Sequence, residues 1–214
     1  MSTYILTSFF PNGFNKKVTQ VVKREIVNKD SFTYVASDFA DYELTDFYLD
    51  SVVKLFSDIG IDFKKVNCVD DRTDIDTVQK MIREADVVWL AGGDTAKQYK
   101  SLIKYGLDKV IKEHTGVVFG MSAGAINLGK TAICYSDYER TEIVVYNAMG
   151  CVDITLCPHF NPSEIPNDIV KMSKKYTIYG LQDDDIIVCK EDSVEFIGDI
   201  YKITNGDVQQ ISYR

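Results

Sequence analysis

Gly120-Met121-Ser122-Ala123-Gly124 reads G-x-S-x-G, the spacing of a serine held on a sharp turn. Its flanks suit that chemistry. Gly116-Val117-Val118-Phe119 before it is an apolar run fit for a buried strand. Ala123-Gly124-Ala125-Ile126-Asn127-Leu128 after it is small and then apolar, fit for a helix packed closely on a sheet. A serine on a strand-to-helix turn projects its hydroxyl clear of the backbone. The N–H of Ala123 then starts the helix, where an oxyanion would be stabilised. A tight turn of small residues is the bland alternative.

A serine nucleophile needs a base, and the chain has two histidines. His114 ends a helical stretch, where a cationic ring would favour the dipole, a sufficient structural role. His159 lies in Cys157-Pro158-His159-Phe160-Asn161-Pro162, after the strand-like run 152–156, in a loop stiffened by two prolines. With Ser122 present, His159 is the better base. Gly92-Gly93-Asp94-Thr95 follows the strand-like run 86–91. Paired glycines at a strand's C-terminal end let backbone N–H groups approach a ligand, so Gly92 and Gly93 are candidate substrate contacts and Gly93 a second oxyanion donor. Thr95-Ala96-Lys97-Gln98 fits a capping box. For the acid that orients the histidine, Asp137 and Asp183 both remain open; Asp183 opens a run of three aspartates that could equally be a solvated turn.

The elements that must position these residues alternate. Strands are expected at 4–9, 32–36, 62–67, 86–91 and 116–120. Helices are expected at 14–28, 46–58 (capped by Thr45), 74–84 (capped by Thr73 or Asp74) and 95–113, with a break at Gly106. That alternation predicts a mostly parallel sheet with helices on both faces. A strand is also expected at 176–181. From 186 the chain reads as short strands at 186–189, 193–197, 200–204 and 208–213, extending or edging the sheet. Asn205-Gly206 marks a type I′ hairpin. No linker or repeat interrupts residues 1–214, which read as one α/β domain.

Composition bounds the rest. The 45% hydrophobic and 26% charged fractions are ordinary for a globular protein. A net charge of −8, with scattered basic pairs, argues against nucleic acid and anionic membranes as partners. The five cysteines lack C-x-x-C spacing and no secretory segment is visible, so a cytoplasmic location with reduced thiols is expected. No ligand-spaced cluster suggests a metal, and no cofactor is called for.

Taken together, these pieces resemble the peptidase E family of serine peptidases, family S51, which includes α-aspartyl dipeptidase. The matching residues are Gly92-Gly93-Asp94-Thr95, Gly120 to Ala125, Asp137, Pro158-His159-Phe160 and Gly180-Leu181, in family order. The resemblance implies a flavodoxin-like three-layer sandwich similar to class I glutamine amidotransferases, with serine in place of their cysteine. It implies Ser122 as nucleophile, His159 as base and a small peptide as substrate. Two departures stand out. Asp94 occupies a position where the family often has asparagine, and a carboxylate there would oppose an oxyanion unless turned away. The segment 161–176 carries lysines 171, 174 and 175 but no arginine to clamp an aspartyl side chain. An α/β-hydrolase esterase and a non-catalytic ligand-binding member are the alternatives to a peptidase.

Overall fold

The computed structural model describes residues 2–135 and 142–212. Its main sheet has seven strands. Five are parallel: β1 (Thr3–Thr7), β2 (Ser31–Val35), β3 (Lys65–Val69), β4 (Val87–Leu90) and β5 (Val117–Met121). They lie side by side in the order β3-β2-β4-β5-β1. That is the flavodoxin arrangement with the chain's first strand in the fifth place.

These strands read as continuous apolar runs because both faces are covered. Alternate side chains of one strand enter different cores. Tyr4, Leu6, Val88, Leu90 and Val118 join one core; Ile5, Val87, Trp89, Val117 and Phe119 join the other. Against the first core pack α3 (Ile75–Arg83), α4 (Thr95–Lys104), α5 (Leu107–Glu113) and α6 (Ala123–Leu128), through Val78, Ile82, Leu102, Leu107, Ile111 and Leu128. Against the second pack α1 (Lys16–Glu25) and α2 (Tyr42–Ser57), through Val18, Val22, Val52 and Phe56. The three-layer sandwich is as expected, and the long helical stretch breaks at Gly106, which is left-handed (φ 65°).

Several boundaries differ from the sequence reading. α2 begins four residues early because Asp41, not Thr45, is its cap; the Asp41 carboxylate accepts the Leu44 N–H, and Thr45 is buried in the first turn. The third strand lies at 65–69 instead of 62–67, since its register is set by pairing Ser31 with Lys65. The run 152–156 gives only the start of a short strand, β8 (Leu156–Pro158). The hairpin β6 (Thr131–Cys134) and β7 (Val144–Asn147) and the helix α7 (Asn167–Met172) were not foreseen; each is only four to six residues long.

The C-terminal strands split between two sheets. β10 (Ile186–Lys190) and β11 (Ser193–Ile197) extend the main sheet antiparallel beside β1. β12 (Ile200–Thr204) and β13 (Asp207–Ser212) form the expected hairpin, with Asn205 and Gly206 both at positive φ. They join β9 (Ile178–Leu181) and β8 in a second sheet of order β13-β12-β9-β8.

Candidate functional site

The two sheets meet at the C-terminal ends of β1, β4 and β5. Ser122 follows β5 and carries φ 48° and ψ −105°, a region that costs a non-glycine residue of order 1–3 kcal/mol. Close approach of backbones holds it there. A Cβ on Gly120 would lie 2.7 Å from the backbone of Gly124 and Ala125. A Cβ on Gly124 would strike the Leu90 carbonyl and lie 2.7 Å from Leu90 Cβ. The Ser122 N–H donates to Thr7 O at 2.8 Å, fixing the turn to β1. The glycines of G-x-S-x-G thus let α6 lie directly on the sheet, and the serine absorbs the strained turn.

The second sheet supplies the partners. β8 and β9 run parallel, with Pro158 opposite Leu181. His159 follows β8, also at positive φ (54°). Its Nε2 lies 3.0 Å from Ser122 Oγ. Its Nδ1 lies 2.9 Å from Asp183 Oδ1, just past β9. An ionised carboxylate only accepts, so Nδ1 bears the proton and Nε2 accepts from Ser122 Oγ–H. This is the geometry in which a serine can lose its proton as it attacks.

Sequence reasoning missed Ser8, which binds the parts together. Its hydroxyl donates to Asp183 Oδ1 at 2.6 Å and accepts the His159 N–H at 2.8 Å; it also lies 3.1 Å from Nδ1. The one signal was its place, a small polar residue where the apolar run of β1 ends. The three aspartates divide. Asp183 faces His159. Asp184 N–H donates to Phe9 O, and the Asp184 carbonyl accepts from Asn15. Asp185 is buried and accepts the Asp199 N–H. Asp137 lies outside the described residues.

Gly92 and Gly93 reach the same place. A Cβ on Gly92 would stand 3.4 Å from Ser122 Cβ, and Gly93 adopts φ 143°, where a Cβ would press to 2.8 Å from Ser37 Cβ. Ala123 is the first residue of α6, where helix N–H groups lack intrahelical acceptors. Asp94 caps α4, its carboxylate accepting the Lys97 N–H at 2.8 Å. Thr95 is therefore not the cap, and the expected capping box is absent. Gln98 instead donates inward to Ala36 O and Ala91 O and accepts from Asn127 of α6, which also donates to Thr95 O. That buried network ties the glycine turn to the helix behind Ser122.

His114 is corrected in its role. Burial pushes its pKa below the ordinary 6.5, so near neutral pH it is not the cation expected to favour the α5 dipole. Gly116 lies against the ring: a Cβ there would meet Nε2 at 2.6 Å.

A cavity of about 250 Å³ opens on Ser122 and His159, with Ser8, Ser37, Gly92 and Gly93 in its wall. A larger one, about 490 Å³, lies at the other end of β1 beside Ser2, Tyr4, Cys151 and Cys189. Burial raises those thiols to about 11 and about 12, so neither is a nucleophilic thiolate near neutral pH. Ser122 and His159 line the smaller cavity, not the larger one. Among the described residues, no helix is long and apolar enough to cross a membrane, and no three His, Cys, Asp or Glu residues cluster as metal ligands.

The same α/β fold occurs in solved structures of peptidases. The chain superposes on the crystal structure of a peptidase from an acI-B1 Actinobacterium with a TM-score of 0.75 at 15% identity, covering 100% of this chain and 95% of that one. A putative peptidase E protein from Listeria monocytogenes gives 0.68 at 21% identity, covering 99% and 100%. In sequence, it is 24% identical to a peptidase E of Nostoc sp. over 203 residues, 87% of this chain and 80% of that protein. It is 23% identical to an uncharacterized peptidase of Listeria innocua over 171 residues, 75% and 78% respectively. Residues 12–197 match the profile of peptidase family S51, and the chain belongs to that family.

Proposed function

We propose that this chain is a serine peptidase of small peptides, with Ser122 as nucleophile, His159 as base and Asp183 as the acid that orients it. The observation that carries the reading is the line Ser122 Oγ, His159 Nε2, His159 Nδ1, Asp183 Oδ1, with 3.0 Å and 2.9 Å between successive side chains. Ser122 Oγ attacks the scissile carbonyl while its proton passes to Nε2. Charge develops on the carbonyl oxygen, and the Gly93 and Ala123 N–H groups stabilise it. His159 returns the proton to the leaving amine, which departs and leaves an acyl-serine. A water then gives its proton to Nε2 and adds to the ester; collapse returns the proton to Ser122 and frees the acid. No metal or cofactor enters these steps. The cavity of about 250 Å³ beside Ser122 has room for a short substrate. The cytoplasm is the compartment this reading proposes.

The capping role of Asp94 removes one ground for a non-catalytic member, since its carboxylate is engaged at α4. Family membership weighs against an α/β-hydrolase esterase. The test is turnover of a dipeptide library by the purified protein and by Ser122→Ala. Loss of the nucleophile should lower kcat by several orders of magnitude at unchanged fold. A variant that keeps wild-type rates would overturn the assignment.

A further inference from the structure

Five of the residues that line the cavity carry large apolar or aromatic side chains. They are Phe9 after β1, Tyr34 of β2, Leu44 and Tyr48 of α2, and Met121 just before the serine. Three of these side chains stand open to solvent: Phe9 is 41% exposed, Leu44 46% and Tyr48 40%. Tyr34 forms a buried floor at 2%. Large apolar side chains left exposed around a nucleophile mark a surface that a ligand covers.

Charge points the same way. Among the described residues, no lysine or arginine lines the cavity. Two nearby cations of the flanking elements are already engaged: Lys97 of α4 pairs with Asp38, and Arg72 is held between Asp46 and Asp70. Lys171, Lys174 and Lys175 lie elsewhere than in this wall. A substrate carboxylate placed against these side chains would lose water without gaining a cation from the described wall, which is costly. An aromatic or aliphatic side chain would lose only apolar contact with water, which is favourable.

We propose that this wall is the specificity pocket and that it selects peptides whose first residue is aromatic or large aliphatic, not aspartate. The inference rests on the serine-peptidase reading of the same site. In a dipeptide the attacked carbonyl belongs to the first residue. The side chain of that residue is therefore the one brought beside Ser122.

The test measures binding apart from catalysis. Ser122→Ala is titrated calorimetrically with Phe-Leu and with Asp-Leu. Burial of one aromatic side chain should make Phe-Leu bind about 10- to 100-fold tighter. Leu44→Arg in the same background places a cation on the exposed rim and should narrow that ratio. Equal binding, tighter binding of Asp-Leu, failure of both to bind, or a ratio untouched by Leu44→Arg would overturn the pocket. Wild-type turnover of Phe-Leu separates the two claims. Selective binding without hydrolysis supports the pocket and contradicts the peptidase reading; hydrolysis of both dipeptides at equal kcat/KM overturns the pocket and keeps that reading.

Discussion

Asp183 receives two hydrogen bonds on one oxygen, from His159 Nδ1 and from Ser8. That makes its role testable against Asp137. An amide at the orienting position can hold the wrong tautomer of histidine, and in the template triad this costs about four orders of magnitude in kcat. Asp183→Asn should show a loss of that size, and Asp137→Asn should not. Ser8→Ala removes a charge-assisted hydrogen bond, so kcat should fall about 10- to 100-fold. Because Ser8 also accepts the His159 N–H, the loss should appear in kcat more than in KM. Near-normal rates for Asp183→Asn together with a large loss for Asp137→Asn would move the acid to residue 137.

At the scale of elements, the placement of Ser122 depends on α6 lying against β4 and β5. Gly124 has no room for a methyl group, since Leu90 fills the space. Gly124→Ala should therefore cost about 1–3 kcal/mol and lower Tm by about 2–12 °C. Thermal unfolding of the variant checks this; an unchanged Tm would mean that the helix can lift without penalty. The same contact explains what the sequence revealed. The apolar runs of β1, β2, β4 and β5 were legible because both faces of those strands are buried. The elbow was legible because close packing demands glycine at fixed spacing. The break at Gly106 and the Asn205-Gly206 turn were legible because those backbones need positive φ. Caps were less so: Asp41 and Thr45, or Asp94 and Thr95, differ little as residue types, and only the path of the chain decides between them. Ser8 could not be singled out, because its partners are 151 and 175 residues away in sequence. That Asp183 faces His159 depends on β8 and β9 lying side by side, a long-range pairing without a local signature.

Across the molecule, the main sheet carries the serine and the second sheet carries the histidine and aspartate. Ser122, His159 and Asp183 come together only where the two sheets meet. Their chemistry therefore reports on the assembled fold, and an activated serine should be the one hydroxyl that differs from all others. The most direct measurement is reaction of the native protein with a fluorophosphonate, followed by intact mass and peptide mapping. One adduct per chain is expected, on Ser122, absent from Ser122→Ala and greatly slowed in His159→Ala. A folded wild-type protein that takes up no label, or takes it up equally in Ser122→Ala, would contradict the account.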